Sequence, residues 1–218
     1  MMKRIGVILS GCGVYDGAEI HETTLTLYFL DRAGVQTIMM APNIDQHHVI
    51  NHLTGDEMGE TRNVLVESAR IARGEIKDLA TVSASDLDAV ILPGGFGAAK
   101  NLSSLAFDGP NATLNAEMAA LLKAMHAAKK PIGAICITPA VVSKVLADQG
   151  ITLTIGDDQG TAGAIQTMGN LHQESTPDQI VIDEANRVIS TAAYMCASSI
   201  GEAGAGIEKL VNEVLKRA

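Results

Sequence analysis

The sequence is poor in aromatic residues and contains no tryptophan. Phenylalanine, tyrosine and tryptophan together make up only 3% of its 218 residues. Proteins that bind single-stranded nucleic acid stack the bases on aromatic side chains, and this chain has too few for such a surface. Its formal net charge of −9 also disfavours a polyanionic partner. We therefore expect no nucleic acid among its partners.

Cysteine is also scarce, and long apolar runs are absent. The three cysteines, Cys12, Cys136 and Cys196, have neither the spacing of a metal site nor that of a disulfide framework. Such sparse use of cysteine is typical of a reducing compartment. The apolar run 5–9 is too short for a signal peptide, and no run approaches the length of a membrane span. The sequence predicts a cytoplasmic protein without a metal site or a membrane partner.

Short apolar runs alternate with helical patterns along the chain. The first three segments, a strand at 5–9, a helix at 18–33 and a strand at 35–41, form a β-α-β unit, which implies a parallel sheet. Because we find no linker and no repeat, we predict one α/β domain over residues 1–218. Further strands are predicted at 87–92, 132–135, 153–155, 180–183 and 188–190, and further helices at 62–73, 113–128, 140–149 and from about 195 to 216.

Cys136 stands where the apolar strand 132–135 gives way to a helix, with Thr138 as the expected cap and Pro139 in the first turn. A reactive residue in such a sharp turn projects its side chain into the crevice above the strand ends. The helix N-terminus stabilises a thiolate, so we expect a lowered pKa for Cys136. A buried and unreactive cysteine is an equal alternative from this stretch alone.

Two other segments reach the same edge of the predicted sheet. Ligands of α/β proteins bind outside the carboxyl ends of the parallel strands, where the first helix begins with Glu22 and the glycine-rich loop 93–97 follows a strand. A carboxyl group beside a thiol acts as general acid and base. The backbone N–H groups of Gly95 and Ile137 are candidates for an oxyanion hole. An isolated Glu22 would be only an ordinary first-turn glutamate.

Four more residues are candidates for the same pocket. Gly94 belongs to the glycine-rich loop, and Asn101 is expected near the pocket mouth. Cys12 follows the first strand as either a resolving thiol or, as we prefer, a packing residue. His21 precedes the candidate glutamate, but adjacent helical residues point apart, so a surface position is an equal alternative.

The segment 43–60 contains three histidines, His47, His48 and His52. His48 and His52 are four residues apart and would share one face of a helix, an arrangement that suits a pair of metal ligands. No third ligand is evident in the sequence, however. We therefore expect a solvated helix here and no bound metal.

Three stretches together resemble the PfpI / class I glutamine amidotransferase-like superfamily. They are GAEIHET at 17–23, LPGG at 92–95 and GAICITP at 133–139. Longer stretches are similar to one group within it, the ElbB group of isoprenoid biosynthesis glyoxalases. These lie at 10–17, 50–55, 60–63 and 94–102.

The resemblance implies a flavodoxin-like three-layer α/β/α sandwich, a nucleophilic cysteine at Cys136 and a partner glutamate at Glu22. It also implies a homodimer with a weak, cofactor-free glyoxalase activity that converts glyoxal to glycolate and methylglyoxal to lactate, a lyase reaction on a small aldehyde. The thiolate would add to the aldehyde, and Glu22 would move protons as the hemithioacetal isomerises to a thioester that water hydrolyses.

The sequence departs from the superfamily pattern at one place. Many members carry a histidine roughly twenty residues after the nucleophile, where this chain has residues 154–157, and its next histidine is His172. Asp157 is a weak substitute and more typical of a turn. The departure disfavours a glutaminase subunit. A different alternative is a non-catalytic thiol sensor or small-molecule-binding protein in which Cys136 is oxidised or captures metabolites.

Overall fold

The computed structural model describes residues 2–218. Within them, the strands in chain order, β1 to β9, are Arg4–Ile8, Gln36–Ala41, Lys77–Asp78, Ala89–Leu92, Ile132–Ile135, Thr152–Leu153, Leu171–His172, Val181–Asp183 and Val188–Thr191. The helices α1 to α8 are Ile20–Arg32, Val64–Ile71, Phe96–Lys100, Leu105–Asp108, Ala116–Ala127, Thr138–Val145, Gln159–Thr167 and Ile200–Arg217.

The central sheet has seven strands in the order β3-β2-β1-β4-β5-β9-β8. All neighbouring pairs are parallel except β8 and β9, which form an antiparallel hairpin. Strands β6 and β7 form a separate two-stranded ribbon. Because the sheet is parallel, the carboxyl ends of β1, β4, β5 and β9 meet at one edge, and the loops after them lie close together.

Helices cover both faces of the sheet and bury its apolar strands. One face packs against α1, α2 and α8, and its core includes Val7, Ile91, Ile135 and Leu210. The other face packs against α5 and α6, with Val90, Ile132, Met118 and Val142 in its core. Strands buried on both sides are apolar at nearly every position, which explains their short continuous runs in the sequence. The predicted flavodoxin-like α/β/α sandwich is confirmed.

Two expectations about local structure were wrong. The segment 43–60 is not a helix but an irregular loop, tied down by isolated bridges between Asp45 and Asn63 and between Ile50 and Glu57. The helix α7 was not predicted at all, because two of its nine residues are glycine and helix propensity there is low. None of the helices in residues 2–218 is long and apolar enough to cross a membrane.

Candidate active site

Cys136 forms a sharp elbow between β5 and α6. Its φ of 63° lies in the left-handed region, which costs a residue with a side chain free energy. Two contacts hold the elbow in place. The Cys136 N–H donates to the carbonyl oxygen of Thr191 at 2.9 Å. The buried Thr138 Oγ1 accepts from the N–H of Ile135 at 2.8 Å and lies 2.9 Å from the carbonyl oxygen of Leu92, to which it can donate. Thr138 therefore secures the turn. Our expectation that it caps α6 was wrong.

Glu22 lies in the first turn of α1 and is fully buried. Its carboxyl group accepts two backbone hydrogen bonds, from the N–H of Gly94 to Oε2 at 2.9 Å and from the N–H of Tyr194 to Oε1 at 3.2 Å. The N-cap residue of α1, Glu19, accepts a bond from the Glu22 N–H at 2.7 Å. These contacts fix the carboxyl group from both the glycine-rich loop and the segment after β9.

The Glu22 carboxyl group and the Cys136 thiol lie next to each other, and each shifts the pKa of the other. Gly94 makes this contact sterically possible. A Cβ atom at Gly94 would lie 2.6 Å from Glu22 Oε2 and 2.9 Å from Cys136 Sγ, closer than real Cβ contacts. Only a residue without a side chain lets the backbone pass between the two reactive groups.

Burial shapes the protonation of this pair. Burial and, secondarily, the nearby Glu19 carboxylate raise the pKa of Glu22 to about 7, although the hydrogen bonds it accepts oppose the rise. Burial and the Glu22 charge also raise the pKa of the Cys136 thiol well above its ordinary value, and the N–H groups of Gly95 and Ile137 only partly offset this. Our expectation of a lowered pKa for Cys136 was wrong because desolvation outweighs the helix N-terminus.

The two N–H groups predicted for an oxyanion hole both lie beside the Cys136 thiol. Those of Gly95 and Ile137 lower the pKa of that thiol, and neither donates to a backbone carbonyl within residues 2–218. Gly95 has a φ of 96°, and a Cβ there would lie only 2.5 Å from the backbone nitrogen of Glu19. These two donors are free to bind an oxygen atom on a carbon attached to Sγ.

A pocket of about 280 Å³ opens over Cys136. Its walls are mostly apolar, with two carboxyl groups, those of Glu19 and Asp158, and no basic side chain. The lining residues are Val14, Glu19, Gly95, Phe96, Cys136, Ile137, Asp158, Thr161, Tyr194 and Met195. The pocket thus favours small ligands that carry no negative charge.

Two of the other candidate residues lie outside this pocket. Cys12 and Asn101 are not among its lining residues. Asn101 instead donates to the carbonyl oxygens of Ser10 and Asp16, both at 2.9 Å. Cys12 is half-buried, and burial followed by the Glu67 charge raises its pKa.

His21 is exposed on α1, and its ring reaches the pocket only through a neighbour. Its Nδ1 lies 2.9 Å from the hydroxyl oxygen of Tyr194, whose side chain lines the pocket. Asp157 is exposed and lines a separate pocket with Cys196. The next residue, Asp158, caps α7 by accepting from the N–H of Thr161 at 2.7 Å.

The histidines of the loop 43–60 do not form a metal site. The rings of His47 and His48 make edge-on or tilted contacts with each other and with Phe107, whereas His52 lies beside Tyr15 and 3.8 Å from Asp16. In the part of the chain that the structure describes, no group of three or more candidate ligand side chains is arranged to hold a metal ion.

Our reading of the sequence missed several pocket residues, above all Glu19 and Tyr194. Glutamate is an uncommon N-cap, so nothing marked Glu19 as the residue that begins α1. Tyr194 follows β9, whose carboxyl end lies at the same edge of the sheet as Cys136. The rule that ligands bind outside the strand ends was therefore a usable signal for Tyr194.

Known proteins resemble this chain over nearly its whole length. Residues 12–197 match the model of the DJ-1/PfpI family. The human "Glutamine amidotransferase-like class 1 domain-containing protein 3, mitochondrial" is 46% identical over 98% of this chain and 82% of its own. The rat "ES1 protein homolog, mitochondrial" is 44% identical over 98% of this chain and 83% of its own.

A solved structure is similar as well. The isoprenoid biosynthesis protein with an amidotransferase-like domain from Ehrlichia chaffeensis superimposes with a TM-score of 0.92 at 39% identity. The match covers 99% of this chain and 100% of that one. Sequence and structure agree, and the chain belongs to the DJ-1/PfpI family.

Proposed function

We propose that this protein is a cofactor-independent glyoxalase, a lyase that converts glyoxal to glycolate and methylglyoxal to lactate. The observation that carries the proposal is the buried juxtaposition of the Cys136 thiol and a Glu22 carboxyl group whose pKa is about 7. A general base is most effective when its pKa lies near the working pH. The pair supplies a nucleophile and a proton carrier in one contact.

The reaction begins with attack of Cys136 Sγ on one aldehyde carbon. The Glu22 carboxylate takes the thiol proton as the C–S bond forms, and then returns it to the new oxyanion. The product is a hemithioacetal, and Glu22 is again a carboxylate, ready to remove the hydrogen on the same carbon. Because Glu22 is regenerated after each transfer, one carboxyl group serves every proton step next to the sulfur.

The N–H groups of Gly95 and Ile137 stabilise the oxyanion on that carbon. They lie beside the sulfur and lower the pKa of the thiol in the resting protein, so an oxygen one bond from the attacked carbon lies within their reach. Removal of one such donor typically costs about 100-fold or more in kcat. The same two donors serve again when water attacks the thioester and the C–S bond breaks.

The pocket supports a small and uncharged substrate. Its volume of about 280 Å³ exceeds the needs of two- and three-carbon aldehydes, and its polar walls are the carboxyl groups of Glu19 and Asp158. No lysine, arginine or histidine lines it to bind a carboxylate or a phosphate. An amino acid substrate such as glutamine would leave its carboxylate unpaired, which argues against a glutaminase.

The biological setting is also part of the proposal. Resemblance to the ElbB group and to the Ehrlichia isoprenoid biosynthesis protein supports a link to that pathway. The three cysteines are free thiols, in keeping with a reducing compartment such as the cytoplasm. The human and rat relatives are named mitochondrial, so localisation of the tagged chain in its own cells is the deciding observation.

We further propose a homodimer formed through α1. This helix exposes Ile20 and Tyr28, and α8, which packs against α1, exposes Ile200 at its start. A charged residue at the centre of such an apolar patch disrupts association, so light scattering on a Tyr28→Glu variant tests the proposal. A monomeric wild-type protein would contradict it.

Steady-state turnover of glyoxal and methylglyoxal tests the function. We expect saturable conversion to glycolate and lactate by the wild type, and none by Cys136→Ala. Glu22→Gln should lose at least 100-fold in kcat, since general acid–base catalysis contributes about 100- to 10,000-fold. Cys196→Ala, which removes a thiol outside the pocket, is the matched control and should keep full activity.

Thermal melts confirm that each variant folds. Consumption of one aldehyde per Cys136 thiol without further turnover would contradict the glyoxalase proposal and favour a protein that captures or senses metabolites. Full activity in Cys136→Ala would contradict both proposals.

A further inference from the structure

Tyr194 lines the pocket, but the reaction described so far assigns it no role. It follows β9 in a short 3-10 turn, Ala193–Met195, and its backbone N–H donates to Glu22 Oε1 at 3.2 Å. Its side chain lines the pocket together with Cys136 and Gly95. Its hydroxyl oxygen lies 2.9 Å from Nδ1 of His21, and the two ring centroids are 5.8 Å apart.

The chemistry requires a proton donor at a second point of the substrate. Glyoxal carries two carbonyl groups, here numbered C1, which Cys136 attacks, and C2. Isomerisation of the hemithioacetal removes the hydrogen from C1 and turns the C2 carbonyl oxygen, O2, into a hydroxyl group. The two N–H donors act at the C1 oxygen, and Glu22 moves a proton between the two carbons, so O2 needs a partner of its own.

The pocket walls offer few groups for this task. Glu19 and Asp158 each accept a backbone hydrogen bond on their carboxyl groups, from the N–H of Glu22 and of Thr161 respectively. The Thr161 hydroxyl is an aliphatic alcohol, a far weaker acid than a phenol. The phenol of Tyr194 remains, and its hydroxyl group is held by an exposed histidine in contact with solvent.

We propose that Tyr194 is the general acid that protonates O2, and that His21 is the residue that positions its hydroxyl group. This role rests on the proposed glyoxalase function. As Glu22 removes the proton from C1, the electron pair of the C–H bond forms the C1=C2 double bond. The π electrons of the C2 carbonyl move to O2, which takes the phenol proton.

The second half of the isomerisation restores each group. Glu22 returns its proton to C2 while the hydroxyl proton at C1 leaves to solvent and the thioester carbonyl forms. The Tyr194 phenolate regains one proton from solvent through the exposed His21, so protons balance and no oxidant or reductant is required. Burial raises the pKa of Tyr194, which keeps the phenol protonated at neutral pH and available as a donor.

Tyr194→Phe removes only the hydroxyl group. The ring remains in the pocket wall, and the backbone N–H that binds Glu22 is untouched, so the Cys136–Glu22 pair stays intact. We expect kcat with glyoxal to fall about 100-fold, the size of a general acid contribution. KM should change little, and intact-mass analysis should show the hemithioacetal on Cys136 accumulating as the reaction stalls before isomerisation.

Two further variants separate catalysis from structure. His21→Ala should lower kcat about tenfold, and His21→Asn should restore part of it because the amide can hydrogen-bond the phenol. Tyr15→Phe, on an exposed tyrosine outside the pocket, is the matched control and should leave kcat unchanged.

The outcomes are distinct. Unchanged kcat in Tyr194→Phe beside an active wild type overturns the role of Tyr194 and leaves the glyoxalase standing. Loss of the Cys136 adduct in Tyr194→Phe also overturns it, because the hydroxyl group would then act before isomerisation. If the wild type shows no turnover, the proposed function is wrong, and the role of Tyr194 is wrong as well.

Discussion

Glu22 Oε2 and Cys136 Sγ approach the same point in space, where a Cβ atom of residue 94 would stand 2.6 Å from one and 2.9 Å from the other. Direct contact between a carboxyl group and a thiol therefore depends on a glycine between them. Four segments far apart in the sequence meet here, those around Glu22, Gly94, Cys136 and Tyr194. Each contributes either a reactive group or the backbone bond that holds one.

Gly94→Ala should remove most of the activity. The added methyl group would overlap Cys136 Cβ and Glu22 Oε2, at 2.5 and 2.6 Å, and force the pair apart. We expect kcat/KM to fall at least tenfold and the free energy of unfolding to drop by about 1–3 kcal/mol, as in other overpacked sites. Gly59→Ala, where a Cβ meets nothing within 4 Å, is the control. Full activity in Gly94→Ala would contradict the contact.

Glu22 should make the protein less stable as the pH rises. Its pKa is about 7 in the folded chain against an ordinary value of 4.5, so the folded state binds the proton more tightly. Stability is then fully present below about pH 4.5 and declines up to about pH 7, by about 3 kcal/mol for this group. Urea titrations at pH 5 and pH 8 should show that loss in wild type and a smaller one in Glu22→Gln. The exposed Glu75→Gln should behave like wild type, and equal pH dependence in all three would refute the prediction.

Glu19→Gln should lower the pKa of Glu22. The Glu19 carboxylate is the second cause of the raised value, after burial, and glutamine keeps an oxygen to accept the Glu22 N–H. Since Glu22 must be ionised to act as a base, the acidic limb of the kcat/KM profile should move to lower pH. Asp158→Asn removes another carboxyl group of the same pocket, one that is not a main cause of the raised pKa of Glu22, and it should leave the limb in place. An unmoved limb in Glu19→Gln would show that another group controls the profile.

Thr138→Val should loosen the elbow. The hydroxyl group accepts from the N–H of Ile135 and donates to a carbonyl within the buried turn. Valine has nearly the same shape but leaves these groups without a partner, at a cost of about 1–3 kcal/mol in the free energy of unfolding. Thr138→Ser keeps the hydroxyl group and should lose much less. If the two variants are equally stable in chemical denaturation, the hydroxyl bonds do not hold the turn.

Much of the fold follows from the apolar pattern of the sequence. Strands such as β5 are buried on both faces, so a short apolar run marks them clearly, and the predicted range 132–135 coincides with β5. The loop 43–60 could not be predicted because distant partners satisfy its backbone. The N–H of His47 donates to Asn101 Oδ1, and that of Ile50 donates to Asp16 Oδ2.

The candidate site was also only partly predictable from the sequence. Cys136 and Glu22 could be predicted because each stands at the border of a helix or strand with a clear apolar pattern. Tyr194 had only the weaker signal of its place after a strand end, since its exact position depends on a 3-10 turn in which Ala193 has a φ of 41° without being a glycine. The raised pKa of Cys136 could not be predicted, because it depends on how completely the turn is packed.

The bond from Cys136 to Thr191 has a consequence for synthesis of the chain. The N–H of Cys136 finds its partner only when β9 pairs with β5, and Glu22 receives its bond from Tyr194 only after the same strand is in place. The ribosome must therefore synthesise more than four-fifths of the polypeptide before Cys136 is aligned with Glu22. Until then the emerging thiol is an ordinary cysteine, and the proposed catalytic pair exists only in the folded, nearly complete chain.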